Sequence, residues 1–386
     1  MSLSSFKNVK IKGIVTVLPE NHINIDDEIK YYENPHMLER NKKILGLGTR
    51  HVVTDGVTAS TLCEEAAKIL IKEKNIDISE IDTLIMTSIN HDYNGNSDAC
   101  IIQGNLGLSE ECACFDTSGL GCTDVVYGLW LAHSLIQSGA SKKCLFLEGS
   151  TSSLLSDVDN RNSNMLFGDA GAAILLERTD EEVPSYFHLQ SFGKDWKKIV
   201  TPAGGFRFPI RKDIIDIKLK DIMGNPVHLW DSIMDGTEVF KFAIATAPNS
   251  INKVLEYAKK TYDDIDFFAI HQANAQIVRT VIMHSGLPRE KASSKTFTKY
   301  GNCGGTSVVL NFCDEMGVNE GVNNGVNKTF SDILFVSFGV GLSTASCILK
   351  ISPDENLGVR FYTPDETIET RKQTIDKWIK FCEGKE

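Results

Sequence analysis

Long hydrophobic runs are missing from this chain. No segment of its 386 residues approaches the eighteen apolar positions of a membrane span, and the opening MSLSSFKNVKIKG lacks the apolar stretch of a secretory leader. Positive charge is short as well. Forty Lys and Arg stand against 51 Asp and Glu, a formal net charge of −11, and no basic block offsets it, which argues against a general nucleic-acid binder. Metal-ligand spacing is absent too: the ten cysteines contain no CxxC, the nine histidines no HxxxH, and Cys112-Ala-Cys114 is too tight for a usual zinc pair. Most cysteines sit inside apolar runs, where they act as small hydrophobes. The expectation is a cytoplasmic protein without metal, nucleic acid or membrane as partner.

What the chain has instead is internal repetition. TLCEEAAKILIKEKNIDISEIDTLIMTSIN (61–90) reads as an amphipathic helix, a connector and a strand that opens with Ile-Asp. APNSINKVLEYAKKTYDDIDFFAIHQAN (247–274) repeats that order, Ile-Asp included. KCLFLEGSTS followed by FGDAGAAILLE gives a strand, a loop and a strand, and DILFVSFGVGLSTASCILK gives the same pair more tightly. The strands are too apolar to face water on either side. Two similar α/β halves are therefore expected, 1–185 and 186–352, with 353–386 as a tail outside the repeat.

The duplication sorts the candidate chemistry. In the first half CACFD runs through TSGLG into a helix expected to start at Cys122. In the second, SSKTFTKYG, expected to be strand-like, runs into NCGGTSVVLNFCDEM, so Asn302 occupies a comparable loop-to-helix junction. His271 directly follows the second half's central strand, where open α/β sheets place ligands. A helix N-terminus favours thiolate over thiol, a nearby histidine extends that effect, and the Cys122 N–H offers half of an oxyanion hole.

With GLGCTDVVYG, FGDAGAAILLE, HQAN and YGNCGGTS in this order, and MDGTEVFKFA and SFGVGLSTAS in support, the chain resembles the β-ketoacyl-acyl-carrier-protein synthase III family of thiolase-fold condensing enzymes. The resemblance implies an α/β fold of two duplicated halves in a five-layered αβαβα architecture. It implies acylation of Cys122, followed by decarboxylative Claisen condensation with a malonyl-carrier thioester in fatty-acid or specialised acyl or polyketide biosynthesis. His271 and Asn302 would hold the malonyl thioester carbonyl, and the main-chain amides of Cys122 and Val340 would form the second oxyanion hole. No metal or redox cofactor is implied; acyl-carrier-protein or coenzyme A thioesters are the substrates, and the assembly is a homodimer.

Some positions depart from the family pattern. Where coenzyme A-primed members carry a tryptophan and an arginine, this chain has ERNKKILGLGTRHVV with Lys42 and Lys43, and Gln276 stands where an arginine often follows HQAN. Lys241 and Arg279, with Arg207 and Arg211 behind them, are the candidates for docking an acidic carrier protein, which is the donor expected here over coenzyme A. Gly95 replaces a bulky residue that closes the acyl pocket at the dimer gate; it serves either a turn or a wider acyl channel. Two other functions share the scaffold: an acyltransferase passing the acyl group to an alcohol or amine, and a non-catalytic partner subunit, against which the retention of Cys122, His271 and Asn302 speaks.

Overall fold

Strands that are apolar on both faces need cover on both sides, and five layers supply it. The structure is a computed structural model and describes residues 2–32, 35–155, 157, 160–161, 163–221, 224–317 and 331–384. One sheet has six strands in the order Asn356–Tyr362, Val9–Pro19, Asp169–Arg178, Lys143–Thr151, Thr83–Thr87, Ala113–Thr117. The other has five: Leu3–Phe6, Ser185–Ser191, Ser343–Ile351, Ser331–Gly339, Phe267–Ile270.

Two helices, Asp124–Ser138 and Thr306–Met316, fill the space between the sheets. Their Val125, Leu129, Val308 and Phe312 share one core with Phe146 of the first sheet and Phe335 of the second. Helices Ala59–Glu73 and Asp98–Leu106 cover the first sheet's outer face, where Leu62 and Ile102 meet Leu84 and Leu147. Helices Gly236–Ala258 and Ala275–Ser285 cover the second, where Ile251 and Val278 meet Phe268 and Val336. The middle helices are the ones that carry the two loop-to-helix junctions, so both junctions end up deep in the molecule.

The repeat is visible in the strand pairing. Lys143–Thr151 runs parallel to Thr83–Thr87 and antiparallel to Asp169–Arg178; Ser331–Gly339 runs parallel to Phe267–Ile270 and antiparallel to Ser343–Ile351. Two edge strands cross the division drawn from the sequence. Leu3–Phe6 pairs with Ser185–Ser191 in the second sheet, and Asn356–Tyr362, from the segment placed outside the repeat, pairs with Val9–Pro19 in the first. The rest of the tail docks beside it: Arg371 N–H donates to Asp55 at 3.2 Å, and Trp378 meets the Tyr93 ring edge-on. Among the described residues, no helix is long and apolar enough to cross a membrane.

Candidate active site

Cys122 stands just ahead of the first buried helix. Gly121–Thr123 make a short 3₁₀ turn and the α-helix begins at Asp124, two residues later than the sequence suggests. Gly121 causes the offset: it takes φ +51°, which favours glycine, and a Cβ there would lie 2.9 Å from Val340 Cγ2. A second glycine closes the site from the opposite half. A Cβ on Gly339 would sit 2.8 Å from Cys122 Cβ and 3.2 Å from Sγ, so bare backbone at the end of strand Ser331–Gly339 presses on the nucleophile loop. Ser337 Oγ donates to the Cys122 carbonyl, and the Thr123 and Ser343 hydroxyls meet at 2.5 Å.

His271 extends its strand by one ladder bond, its N–H donating to Val336 O at 3.0 Å. Its Nδ1 is 2.7 Å from Ser307 Oγ, and the same oxygen accepts the Gln272 N–H at 3.1 Å. Burial pushes the imidazole down to about 3, opposed only in part by a hydrogen bond at the Gly304 backbone, so the ring is neutral. The rest of HQAN is scaffolding. Gln272 is fully buried and spans the Ile270 and Ser293 carbonyls and the Phe297 N–H, while Asn274 caps the next helix through the Ile277 N–H at 2.8 Å.

Asn302 is clamped to the first half. Its N–H donates to Leu166 O at 2.8 Å and its carbonyl accepts the Gly168 N–H at 3.1 Å. Its Oδ1 accepts the Gly304 N–H at 3.1 Å, which fixes the amide plane and leaves Nδ2 as its donor. Cys122, His271, Asn302 and Val340, expected from the sequence as one site, line a single cavity of about 80 Å³.

The electrostatics of that cavity depart from the helix-end expectation. Burial first, then the charges of Asp124 and Glu148, push the Cys122 thiol up to about 12, so the resting sulfur is protonated. Burial also raises Asp124 to about 7 and Glu148 well above the usual carboxylate range. No Lys or Arg lines the cavity among the described residues. Ser307, Ser337, Asp124 and Glu148 were not singled out in the sequence. The two acids left a trace there, each the single acid of its motif, GLGCTDVVYG and KCLFLEGSTS.

The outer candidates scatter. Lys241 is exposed and pairs with Glu238 at 2.8 Å; Arg279 donates to the Ile44 carbonyl at 2.7 Å; Arg207 and Arg211 are exposed on a separate loop. Lys42 is held by Asp26 at 2.5 Å and Glu39 at 3.3 Å, so its charge is already balanced. Gln276 borders a groove with Arg40 and Asn274 that shares Met234 with the catalytic cavity. Gly95 takes φ +96° and does not border that cavity in the single chain, where Ile89 lines the wall. His91, Asp98 and Asp116 bring ligand-type atoms within 4.8 Å of one another, but Asp116 already accepts the Asp98 and Ala99 N–H groups and Asp98 that of Asp92.

Comparison with known proteins bears on the family and the fold. Residues 115–193 match the family described as 3-oxoacyl-[acyl-carrier-protein] synthase III, and residues 255–351 match its C-terminal domain. The chain is 34% identical over 309 residues to the β-ketoacyl-[acyl-carrier-protein] synthase III of Campylobacter concisus, covering 80% of this chain and 87% of that one. It is 30% identical over 345 residues to the Fusobacterium nucleatum enzyme of that name, covering 89% and 99%. The solved 3-oxoacyl-(acyl-carrier protein) synthase of Burkholderia xenovorans superposes with a TM-score of 0.84 at 26% identity, over 93% of this chain and 99% of that one. Fold, ordered motifs and relatives converge: this chain belongs to the 3-oxoacyl-acyl-carrier-protein synthase III family.

Proposed function

We propose that the protein is a decarboxylative condensing enzyme, in which Cys122 takes an acyl group from a thioester and a malonyl-carrier thioester then extends it. The observation that carries this reading is the meeting of Cys122, His271 and Asn302 in one cavity, each supplied by a different loop and held by its own hydrogen bonds.

Acylation begins with attack of the Cys122 sulfur on the donor carbonyl. The amides of Cys122 and Val340 receive the oxyanion, the Gly339 backbone holding the two loops close enough for both to reach it. In the second half-reaction the malonyl thioester carbonyl lies against His271 and Asn302. With Nδ1 accepting a hydrogen bond from the Ser307 hydroxyl, the neutral ring keeps its proton on Nε2 as one donor, and Asn302 Nδ2 is the second. Two neutral donors suit an enolate that forms as carbon dioxide leaves, since neither gives up its proton. The carbanion attacks the Cys122 thioester, and collapse of that adduct releases the β-ketoacyl product.

The donor is a carrier-protein thioester, with Lys241 and Arg279 on its docking side; the groove beside Arg40 and Asn274 is the route by which the thioester arm reaches the sulfur. The protein works as a homodimer with 90–100 near the interface and needs no metal or redox cofactor. Intact mass after incubation with a panel of acyl-coenzyme A and acyl-carrier donors tests the acylation, and product mass with malonyl carrier tests the condensation. An acyl adduct on wild type that Cys122→Ala lacks is expected. An adduct on Cys303 or another thiol would overturn the reading.

A further inference from the structure

The tail ends in a helix that the body of the protein does not cover. A capping box between Thr370 and Gln373 opens Arg371–Cys382, and of its residues only Thr374 is even half-buried. Contacts at Asp55 and Tyr93 tether it. A helix of 12 residues is marginal in water unless an apolar face finds cover. Such a face is present. Ile375, Trp378, Ile379 and Cys382 fall at i, i+3, i+4 and i+7 with Phe381 beside them, and the four large side chains are 44–60% exposed. Arg371, Lys372, Lys377 and Lys380 against the single Asp376 give the helix a formal charge of +3, on a chain whose total is −11. At 3.6 residues per turn, Lys377 and Lys380 lie opposite the stripe and Lys372 at its edge. Lys377 is paired with Glu369 at 2.9 Å, while Arg371, Lys372 and Lys380 are exposed.

We propose that this helix docks the protein on an anionic bilayer surface, with Ile375, Trp378, Ile379 and Phe381 entering the headgroup boundary while the basic side chains meet lipid phosphates. An apolar face holding Trp and Phe, backed by lysines, is the pattern of helices that lie in the membrane plane. The helix lies on the bilayer and does not cross it: at about 1.5 Å per residue it is about 18 Å long, against a hydrocarbon core of about 30 Å. A second copy of the chain is the other candidate cover. Charge disfavours it where the two helices meet across a two-fold axis, since +3 would face +3, whereas anionic headgroups complement that charge. Tyr93, which holds Trp378, is four residues from Ile89 of the catalytic cavity, a span of at most about 14 Å. Docking therefore brings that wall of the cavity close to the lipid surface. The proposal stands apart from the catalytic reading, and either can fail alone.

Co-sedimentation of the full chain with lipid vesicles tests this. One set is phosphatidylcholine mixed with phosphatidylglycerol, the other phosphatidylcholine alone. Wild type is expected to bind the anionic set at least about tenfold more tightly. Each basic residue close to an anionic surface is worth roughly fivefold in binding, so Lys372→Ala with Lys380→Ala should lose about 25-fold. Alanine keeps the helix, so that loss reads charge and not unfolding. Ile375→Ser with Ile379→Ser, both at exposed positions, should remove binding while acylation of Cys122 from a soluble donor is unchanged. No binding, equal binding to both sets, or binding that the lysine pair leaves intact overturns the proposal. So does light scattering in which the isoleucine pair turns an oligomer into a monomer while vesicle binding persists, because the stripe is then covered by a second copy.

Discussion

Replacing Gly339 by alanine isolates the contact that brings the two halves of the site together. Gly339 does not take a left-handed φ, so alanine meets no backbone penalty there. The added methyl group would stand 2.8 Å from Cys122 Cβ, against an ordinary contact of 3.4 Å or more, so the loops must part by roughly 0.6 Å, from 3.4 − 2.8. Overpacking of this kind costs about 1–3 kcal/mol of stability. The larger effect is kinetic, because the sulfur and the Val340 amide move apart together. Misplacement of reacting groups by up to about 1 Å costs on the order of 10²-fold in rate, and acylation is expected to fall by that factor. Single-turnover acylation by intact mass, alongside a thermal melt, separates the two effects. Gly193→Ala is the control, since a Cβ there meets nothing within 4 Å. If Gly339→Ala acylates at the wild-type rate, the contact does not position the nucleophile and the assignment of Val340 to the oxyanion hole falls with it.

His271→Ala and Asn302→Ala should each slow malonyl decarboxylation on the order of 10²–10³-fold while acylation changes far less; equal losses in both half-reactions would break the division of labour. Lys241→Glu should impair acylation from a carrier-protein donor but not from coenzyme A, and raised salt should weaken the carrier route in wild type; transfer of the same acyl group on both donors checks this. Arg50→Ala removes one partner of the buried pair with Glu28, held at 2.5 Å, and should cost about 3–5 kcal/mol by denaturant unfolding with little change in acylation per folded molecule.

The two halves were legible because hydrophobic pattern and strand order repeat, and each repeated strand pair has the same pairing in both sheets. Cys122 and His271 were marked by the strands ahead of them, Ala113–Thr117 and Phe267–Ile270; the segment ahead of Asn302, expected to be strand-like, is instead the helix Lys295–Tyr300. Partners set by tertiary packing were not. Ser307 lies 36 residues from His271, and nothing local marks it as the group at Nδ1. Glu148 reads as an isolated acid in a strand until Thr87 and Gly305 close around it. The state of the thiol was misjudged for the same reason: a helix end is a local feature, whereas burial and facing acids are not. Lys42 looked available until Asp26 and Glu39 took its charge.

The exchange of terminal strands has a consequence for synthesis on the ribosome. One edge strand of the first sheet, Asn356–Tyr362, is made only after every other strand of that sheet. Until then Val9–Pro19 presents an open edge, and Leu3–Phe6, made first, waits for Ser185–Ser191. The nascent first half therefore cannot finish its own sheet until the second half has been made. Each half keeps a piece of the other, so a nick at the junction near 185 would leave the two fragments interlocked, and either fragment made alone would carry an unpaired edge that invites aggregation.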